Sequence, residues 1–324
     1  MLSRVANSIY WMCRYIERAE NVARFISVNL NLLLDMPSEK SKHWEPLIMI
    51  TGDQERFEKS YPGFIQDSVI HFLTFERQYP NSILSCLAAA RENGRSIREI
   101  ISSEMWEHLN NFYLELSDKQ NRTMALENPH SFFKIIQMRS HLFTGLMDCT
   151  MSHGEAWNFA RIGMMLERAD KTSRILDVKY FMLLPQADMI NSPIDNIQWT
   201  AVLKSASAFE MFRKAHHHIT PRSVAGFLIF NSLFPRSIRH CITKAQVCLH
   251  RISGSPPGSA TNLAEKRIGR LKADLEYTDI DEVIDGGMHE FLDSLQTRLN
   301  QVDAGIGTTF FNLNPLTEST VSEQ

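Results

Sequence analysis

This sequence has few cysteines, little net charge and no long apolar run. The 324 residues include five cysteines, none in a Cys-x-x-Cys pair, and 34 basic against 37 acidic side chains, which gives a net charge of -3. The few cysteines lie mostly in apolar surroundings, which indicates buried thiols in a reducing compartment. The near-neutral charge argues against a nucleic-acid binder, which would carry a basic excess. We therefore expect no nucleic-acid partner.

The sequence also lacks the signals of a membrane or secreted protein. No apolar run approaches the ~20 residues that span a bilayer. Arg14, Glu17 and Arg18 interrupt the N-terminal region before an apolar signal core can form. We therefore expect a cytoplasmic protein without a membrane partner.

Strand patterns and catalytic motifs are absent as well. No run alternates between apolar and polar residues with period two, and no Walker, Gly-x-Gly-x-x-Gly or Gly-x-Ser-x-Gly motif occurs. No cysteine lies in a recognisable nucleophile context. Apolar residues instead recur at steps of three and four, which predicts an all-α helical bundle. Nothing in the chain looks like a self-sufficient active site.

One helix pattern occurs twice, 150 residues apart. The charged residues of the first copy are Glu17, Arg18, Glu20 and Arg24, and those of the second are Glu167, Arg168, Asp170 and Arg174. The apolar positions around them repeat at the same offset. At an offset of 155, residues 68–75 and 80–83 match residues 223–230 and 235–238. These matches predict a tandem duplication whose copies pack about a pseudo-twofold axis.

The duplication leads to a prediction of one all-helical domain over residues 1–304. Its parts are repeat one at about 1–128, repeat two at about 150–253 and C-terminal helices at about 260–301. The segment 305–324 lacks periodicity and predicts a disordered tail. Within the domain we expect a helical segment over 81–116 with one weak point at Gly94, helical segments over 194–214 and 280–301, a loop over 117–128, and connections at 37–41 and 185–193.

The spacing of the repeated charges favours helix ion pairs for part of the motif. Glu20 precedes Arg24 by four residues, the favourable order for an intrahelical pair, and Asp170 precedes Arg174 in the same way. Glu17 lies on the same flank of the apolar seam as the first pair. The two acid–Arg pairs are then structural, whereas Glu17 with Arg18, and Glu167 with Arg168, are not explained in this way and stay candidate binding residues.

The arginines of the Glu-Arg dipeptides admit a second interpretation. At 100° per residue Arg14 and Arg18 fall on the far side of the helix from the seam, where the ion pair does not explain them. Buried charge is costly unless paired, so two such helices in contact would form a polar site in an apolar bundle. Arg18 and Arg168 would then clamp a carboxylate or phosphate through their planar forks.

A second candidate surface lies at residues 90–106. Arg91, Arg95 and Arg98 share one face of the predicted helix, with Asn93 and Glu104 nearby in sequence. Such a row is either a solvated basic face or a site for an anion or a partner. The matching stretch of the second copy lacks the row, so the two copies have diverged here.

The sequence does not predict a metal site. Di-metal sites in helical bundles use Glu-x-x-His, and Glu20 and Asp170 stand where the histidine would be. The run His216–His218 points in several directions on a helix and indicates a solvated helix end. We therefore expect no metal and no cofactor on this chain.

Seven stretches, over about residues 1–300, carry a resemblance to a known family. They are Met1–Arg4, Tyr10–Met12, Tyr15–Glu20, Ala90–Asn93, Ile101–Glu107, Leu166–Asp170 and Phe234–Ser237, the last of which adds Arg236 to the candidate binding residues. Together they resemble the alpha-E family, a bacterial all-helical family named for its Glu-Arg motif.

The resemblance implies partners. Alpha-E proteins are typically encoded beside, or fused to, a circularly permuted ATP-grasp protein, often with a transglutaminase-like cysteine peptidase nearby. ATP-grasp enzymes join a carboxylate to an amine through an acyl phosphate, so ATP and Mg are expected on that partner. The implied role is an accessory subunit of an amide ligase system that holds the ligase or an anionic substrate.

Two alternatives stay open. The chain is an enzyme in its own right, an amidoligase component or hydrolase with Glu17 or Glu167 as base, or it is a purely structural helical scaffold. The sequence leaves the ligand and the oligomeric state open, a homo-oligomer included.

Overall fold

The computed structural model of the chain describes residues 1–35, 44–182 and 193–312, and every regular element in these ranges is a helix. The helices are α1 (Ser3–Asp35), α2 (Glu45–Thr51), α3 (Gln54–Ser60), α4 (Gln66–Phe75), α5 (Ile83–Ser96), α6 (Ser103–Ser117), α7 (Lys119–Glu127), α8 (Pro129–Thr150), α9 (Glu155–Met182), α10 (Pro193–Ser205), α11 (Phe209–Ala215), α12 (Pro221–Phe230), α13 (Ile238–Ser253), α14 (Leu263–Tyr277), α15 (Ile280–Asp285) and α16 (Met288–Ile306), followed by a π-helical turn (Gly307–Phe311). The predicted all-α class is confirmed.

Several long helices begin at a capping side chain. Ser82, Ser102 and Ser237 each accept a hydrogen bond from a backbone N–H in the first turn of α5, α6 and α13. Such caps satisfy donors that have no partner within the helix. Because of these caps, α5 and α13 begin three residues after Pro80 and Pro235.

Two groups of four helices meet along α1 and α9. In the first group α1 packs on α5 and α8, and α6 packs on both of those; in the second, α9 packs on α13 and α16, and α14 packs on both of those. The order of contacts is thus the same in the two groups, while the sequence duplication itself stays a prediction. Met1 contacts Glu155 and Arg18 contacts Glu167, so α1 and α9 run in the same direction.

α1 is buried around most of its circumference because α5, α8 and α9 all pack on it. Its apolar residues belong to one continuous core that includes Ile9, Met12 and Ile26, all fully buried. Where α1 crosses α9, a Cβ placed on Gly163 would lie 2.4 Å from the carbonyl oxygen of Tyr10. Only glycine allows the two helices to approach this closely.

Three of the predicted helix boundaries were wrong. The segment 81–116 is two helices, since α5 ends at Ser96 and Ser102 caps α6. The predicted loop over 117–128 contains α7, which Asp118 caps, although the segment is mostly polar. The segment 194–214 breaks between α10 and α11, where Ser207 has a positive φ of 52°.

The C-terminal region also differs from the prediction. The predicted helix over 280–301 is broken at Gly286–Gly287, where Gly287 has a φ of +96°. The predicted boundary at residue 304 falls inside α16, and the π-helical turn beyond it packs Phe310 on Phe159 and Phe311 on Tyr10. The remainder of the predicted tail and the predicted connections at 37–41 and 185–192 lie outside the described residues.

Within the described ranges, none of the helices combines the length and the apolar character that a membrane span requires.

Candidate functional site

The two Glu-Arg dipeptides pair with each other across the contact of α1 and α9. Arg18 donates from Nε to Glu167 Oε1 at 2.6 Å and from Nη2 to Glu167 Oε2 at 2.8 Å. Arg168 donates in the same way to Glu17, at 2.9 Å and 2.7 Å. Two-point pairs of this kind combine charge with fixed geometry. Each dipeptide therefore provides one carboxylate and one guanidinium group to the other helix. The Glu and Arg that are adjacent in sequence do not pair with each other.

Glu17 is further held by residues outside the α1–α9 pair. Arg236, in the turn before α13, donates to Glu17 at 2.9 Å and to Glu20 at 3.0 Å, and Asn21 donates to Glu17 at 3.2 Å. Burial alone would raise the pKa of Glu17, but Arg168 and Arg236 lower it to about 2. Glu17 is therefore ionised at neutral pH, and its oxygens are already hydrogen-bonded.

Glu167 has its own set of cations. Arg14 donates to it at 3.0 Å, and the ammonium of Lys171 lies 3.6 Å away. Arg14 also donates to Asp303 at 2.6 Å. The hydroxyl of Tyr10 donates to the same carboxylate, and these contacts tie α1 to α16. Burial acts to raise the pKa of Glu167, but Arg18, Lys171 and Arg14 hold it well below its usual range. Glu167 is thus also ionised.

The predicted intrahelical pairs are confirmed. Arg174 donates from Nε to Asp170 at 3.0 Å, and Arg24 contacts Glu20. Both acids are at least nine-tenths buried, so these are internal pairs and not the exposed ones that helix peptides contain. They extend the α1–α9 pairs into one buried network, which we call the Glu-Arg cluster.

The Glu-Arg cluster has an excess of positive charge. Among the described residues its cations are Arg14, Arg18, Arg24, Arg168, Lys171, Arg174 and Arg236, and its carboxylates are Glu17, Glu20, Glu167, Asp170 and Asp303. Burial and the field of Arg24 lower the pKa of the neighbouring His141 imidazole. The cluster is therefore a positive environment beside α8.

The side of α1 that carries Arg14 and Arg18, which the prediction set opposite a single buried seam, is itself buried. The prediction assumed one buried seam, but α1 has neighbours on three sides, so its second flank faces α9. The side chains of Arg18 and Arg168 are only 15% and 12% exposed, and a carboxylate already fills each fork. An external anion would have to compete with these partners.

The cavities at the Glu-Arg cluster are small. One of about 10 Å³ lies between Glu17, Glu20 and Ser140, and one of about 20 Å³ lies between Arg18 and Asn81. A cavity of this size holds about one water molecule. A larger cavity of about 410 Å³ lies between α14, α15 and α16, away from the predicted site residues. The cluster thus has no room for a substrate in this conformation.

The predicted row of arginines forms an exposed surface with two aromatic rings. Because α5 ends at Ser96, Arg98 lies in the following turn, and the prediction that three arginines share one helical face was wrong. The guanidinium carbons of Arg91 and Arg98 nevertheless lie 5.9 Å and 5.1 Å from the centre of the Trp106 ring. Arg91 also lies 5.3 Å from the ring centre of Tyr113. We call Arg91, Arg95, Arg98, Trp106 and Tyr113 the basic-aromatic face.

The charges of this face differ in how they are neutralised. Arg91 donates to Asn110 at 2.8 Å and contacts Glu92, which also pairs with the exposed Arg95. In the described part of the chain, no carboxylate lies within ion-pair distance of Arg98. The other two predicted residues lie close in sequence, Asn93 half-buried and Glu104 exposed in the first turn of α6. Arg98 is thus available to an anionic group.

No group of three or more His, Cys, Asp and Glu residues within the described ranges is arranged to hold a metal ion. The ring of His216, which directly follows α11, stacks on Phe212 at 4.7 Å.

Several residues of the Glu-Arg cluster were not among the predicted site residues. Lys171 lies four residues after Glu167, so the spacing rule that identified the other pairs could have found it. Arg14 lies one turn before Arg18 and joins the same carboxylate. Asp303 is 289 residues from Arg14, and no local signal connects them.

Comparison with known proteins identifies relatives of the chain. The family model Alpha-E, described as a predicted alpha-helical domain with a conserved ER motif, matches residues 1–311. The chain is also similar to uncharacterized proteins of Mycobacterium bovis and Mycobacterium tuberculosis, with 20% identity over 322 residues in each case. These matches cover 94% of this chain but 35% of each relative, so the chain spans about a third of their length. No solved structure gives a significant match.

Proposed function

The chain belongs to the Alpha-E family, and we propose that it is an accessory binding subunit of an ATP-grasp-dependent amide ligase system. In this proposal the ATP-grasp partner binds ATP and Mg and forms the amide bond. This chain holds the ligase or its anionic substrate, and a transglutaminase-like peptidase is a further candidate partner.

The observation that carries the proposal is the length of the relatives. An Alpha-E-like region makes up 35% of each mycobacterial protein, so these proteins contain a long additional region in the same chain. Regions that are fused in one protein commonly act together when they occur as separate chains. In this proposal a separate partner supplies to this chain what the additional region supplies in these relatives.

The Glu-Arg cluster supports a binding role over catalysis by this chain. A general base works best when its pKa lies near the operating pH. Glu17, with a pKa of about 2, and Glu167, whose pKa lies well below its usual range, are too weakly basic for that role. Their oxygens are occupied by arginines, and the adjacent cavities hold about one water each. These facts disfavour the alternative in which either carboxylate is a catalytic base.

The basic-aromatic face is the surface that this proposal assigns to the partner or the anionic substrate. Arg98 is exposed, lies on the ring of Trp106 and has no carboxylate partner among the described residues. Arginine stacked on an aromatic ring is a common arrangement at protein interfaces, where it supplies both charge and contact area.

Co-expression with a circularly permuted ATP-grasp protein, the partner that this proposal names, tests the proposal. An affinity tag on this chain should capture the ligase, and the complex should form amide bonds in an ATP-dependent reaction. The double variant Arg95→Glu with Arg98→Glu should reduce capture by about tenfold or more, since reversing interface charges opposes association. Lys266→Glu with Arg270→Glu, on the exposed side of α14, is the matched control.

Two results would contradict the proposal. One is failure of this chain to capture the ligase under any condition in which both are folded. The other is turnover by the purified chain alone that is lost in Glu17→Gln, which would favour the enzyme alternative.

A structural scaffold is the second candidate, and the reciprocal Glu-Arg pairs favour it because they join two helices. It predicts that substitutions in the Glu-Arg cluster change only the stability of the fold. It also predicts that charge reversal on the basic-aromatic face changes nothing.

A further inference from the structure

α8 carries an apolar stripe that no described residue covers. Ile135, Met138 and Leu142 are 45%, 59% and 51% exposed. Gly145 and Cys149 continue the stripe toward the C-terminal end of the helix, and both are exposed. The opposite side of α8 is already buried in the core, so the helix is apolar on two faces. An apolar helix face of this length is typical of a contact with another helix.

The spacing of the stripe is that of a helix–helix contact. Its five residues are separated by three, four, three and four positions, which is the a/d pattern of a heptad. In such contacts the a and d side chains of one helix pack between those of the other. The stripe covers the last two-thirds of α8 and suits a partner that is also a helix.

Gly145 gives an independent reason to place a helix there. Glycine destabilises a helix interior relative to alanine, so its presence usually has a packing reason. Among the described residues, nothing lies within 4 Å of a Cβ built on Gly145. Close approach of a second helix would supply the packing reason that the described part of the chain does not provide.

The charges beside the stripe are complementary when α8 faces a copy of itself. Lys134 flanks its beginning and Asp148 its end, and both are exposed. Asp148 accepts a hydrogen bond from Trp157, and Arg161 lies 3.9 Å away, yet its side chain remains 43% exposed. In an antiparallel pair of α8 helices, Lys134 of each chain lies opposite Asp148 of the other. A parallel pair would place like charges together.

We propose that the α8 stripe is the interface of a symmetric dimer, in which α8 packs antiparallel on α8 of a second copy of this chain. In this register Ile135 lies opposite Gly145, and Met138 lies opposite Leu142. The large Ile135 at one end thus meets the small Gly145 at the other, and Met138 packs beside Leu142, so the same patch of both copies is self-complementary, as in a twofold-symmetric interface. We assign a second copy of this chain to the stripe because one face of α8 supplies both members of each pair, Ile135 with Gly145, Met138 with Leu142 and Lys134 with Asp148.

The molar mass in solution is the first test. Light scattering should give the mass of two chains, which falls to one chain on dilution. Leu142→Glu should raise the dissociation constant by about 30-fold or more, since it places a charge in the centre of the interface. Leu233→Glu is the matched control, because Leu233 is 84% exposed and lies outside the stripe. Circular dichroism should show equal helix content in both variants.

Two further variants test the register. Lys134→Glu and Asp148→Lys should each weaken the dimer, and the double variant should restore it. In a Cys149→Ser background, Ile135→Cys together with Gly145→Cys should form a disulfide-linked pair of chains on oxidation, and neither single variant should do so as efficiently.

A one-chain mass at all concentrations overturns the proposal. If Leu142→Glu then abolishes capture of the ATP-grasp protein, the stripe belongs to that partner instead. A two-chain mass that is insensitive to Leu142→Glu also overturns it, because the dimer would then use another surface.

Discussion

Arg18 of α1 and Glu167 of α9 form a two-point ion pair at 2.6 Å and 2.8 Å, and Arg168 and Glu17 form the same pair in the reverse direction. The carboxylate and the guanidinium group of each dipeptide thus form ion pairs with the opposite helix. The pairs lie where the two groups of helices meet, and they hold α1 and α9 in a fixed register. The Glu-Arg motif therefore joins the two groups of helices.

Removal of one arginine from the Glu-Arg cluster should destabilise the protein strongly. Arg18→Ala leaves Glu167, whose side chain is fully buried, without its two-point partner. Arg14 and Lys171 still neutralise Glu167, so the loss should lie below the ~3–5 kcal/mol of an uncompensated buried charge, at about 2–3 kcal/mol of unfolding free energy. Urea unfolding followed by circular dichroism measures the loss. Arg95→Ala, in an exposed pair with Glu92, should change stability by less than about 1 kcal/mol; equal effects of the two variants would contradict the assignment.

Acid should weaken the fold through Glu17. Its pKa is about 2 in the folded protein against 4.5 as the ordinary value. The unfolded chain therefore binds the proton more readily than the folded one between these values. The stabilisation is fully present above pH 4.5 and is lost as the pH falls toward 2. Glu17→Gln should show a shallower decline of stability in this window, whereas Glu55→Gln, at a fully exposed acid, should follow the wild-type curve. Parallel curves for all three proteins would refute this origin of the acid sensitivity.

Substitution of Gly163 should separate α1 from α9. A Cβ at this position would lie 2.4 Å from the Tyr10 carbonyl oxygen, so Gly163→Ala forces the backbones apart. Overpacking of this kind costs about 1–3 kcal/mol. Thermal unfolding should show a lower midpoint for this variant and little change for Gly154→Ala, where a Cβ meets nothing within 4 Å. An unchanged midpoint for Gly163→Ala would show that the helices do not approach this closely.

The residues after position 304 should contribute to stability. A chain that ends at Ala304 loses the contacts of Phe310 with Phe159 and of Phe311 with Tyr10. Loss of two partly buried aromatic side chains should cost about 2 kcal/mol or more. A chain that ends at Asn312 keeps these contacts and serves as the control. Equal stability of the two shortened chains would show that residues 305–312 do not stabilise the domain, which would agree with the predicted domain end at residue 304.

The helical class and the local pairs could be predicted from the sequence, because both depend on residues three or four positions apart. Glu20 with Arg24 and Asp170 with Arg174 followed from that spacing. The partners of Arg18 could not, since they depend on how α1 packs on α9. The seam prediction assigned one buried side to α1, whereas three neighbouring helices bury most of it. The contact of Arg14 with Asp303 likewise depends on the position of α16.

Polar segments were the other source of error. α7 is short and mostly polar, so its helical pattern was too weak to identify, although Asp118 provides a capping side chain. The break at Ser207 required a positive φ at a residue type that rarely adopts one. The basic-aromatic face illustrates a different case: its arginines were found as a row on one helix, but the ring of Trp106, on the next helix, is what brings Arg91 and Arg98 together.

A double-mutant cycle between Glu17 and Arg168 tests the central claim that the Glu-Arg motif joins α1 to α9. The unfolding free energies of Glu17→Gln, Arg168→Met, the double variant and the wild type give the coupling between the two side chains. Direct pairing predicts a coupling of about 1.5 kcal/mol or more, the range measured for close charge pairs across an interface. A coupling near zero, with each variant acting independently, would contradict the pairing and the account built on it.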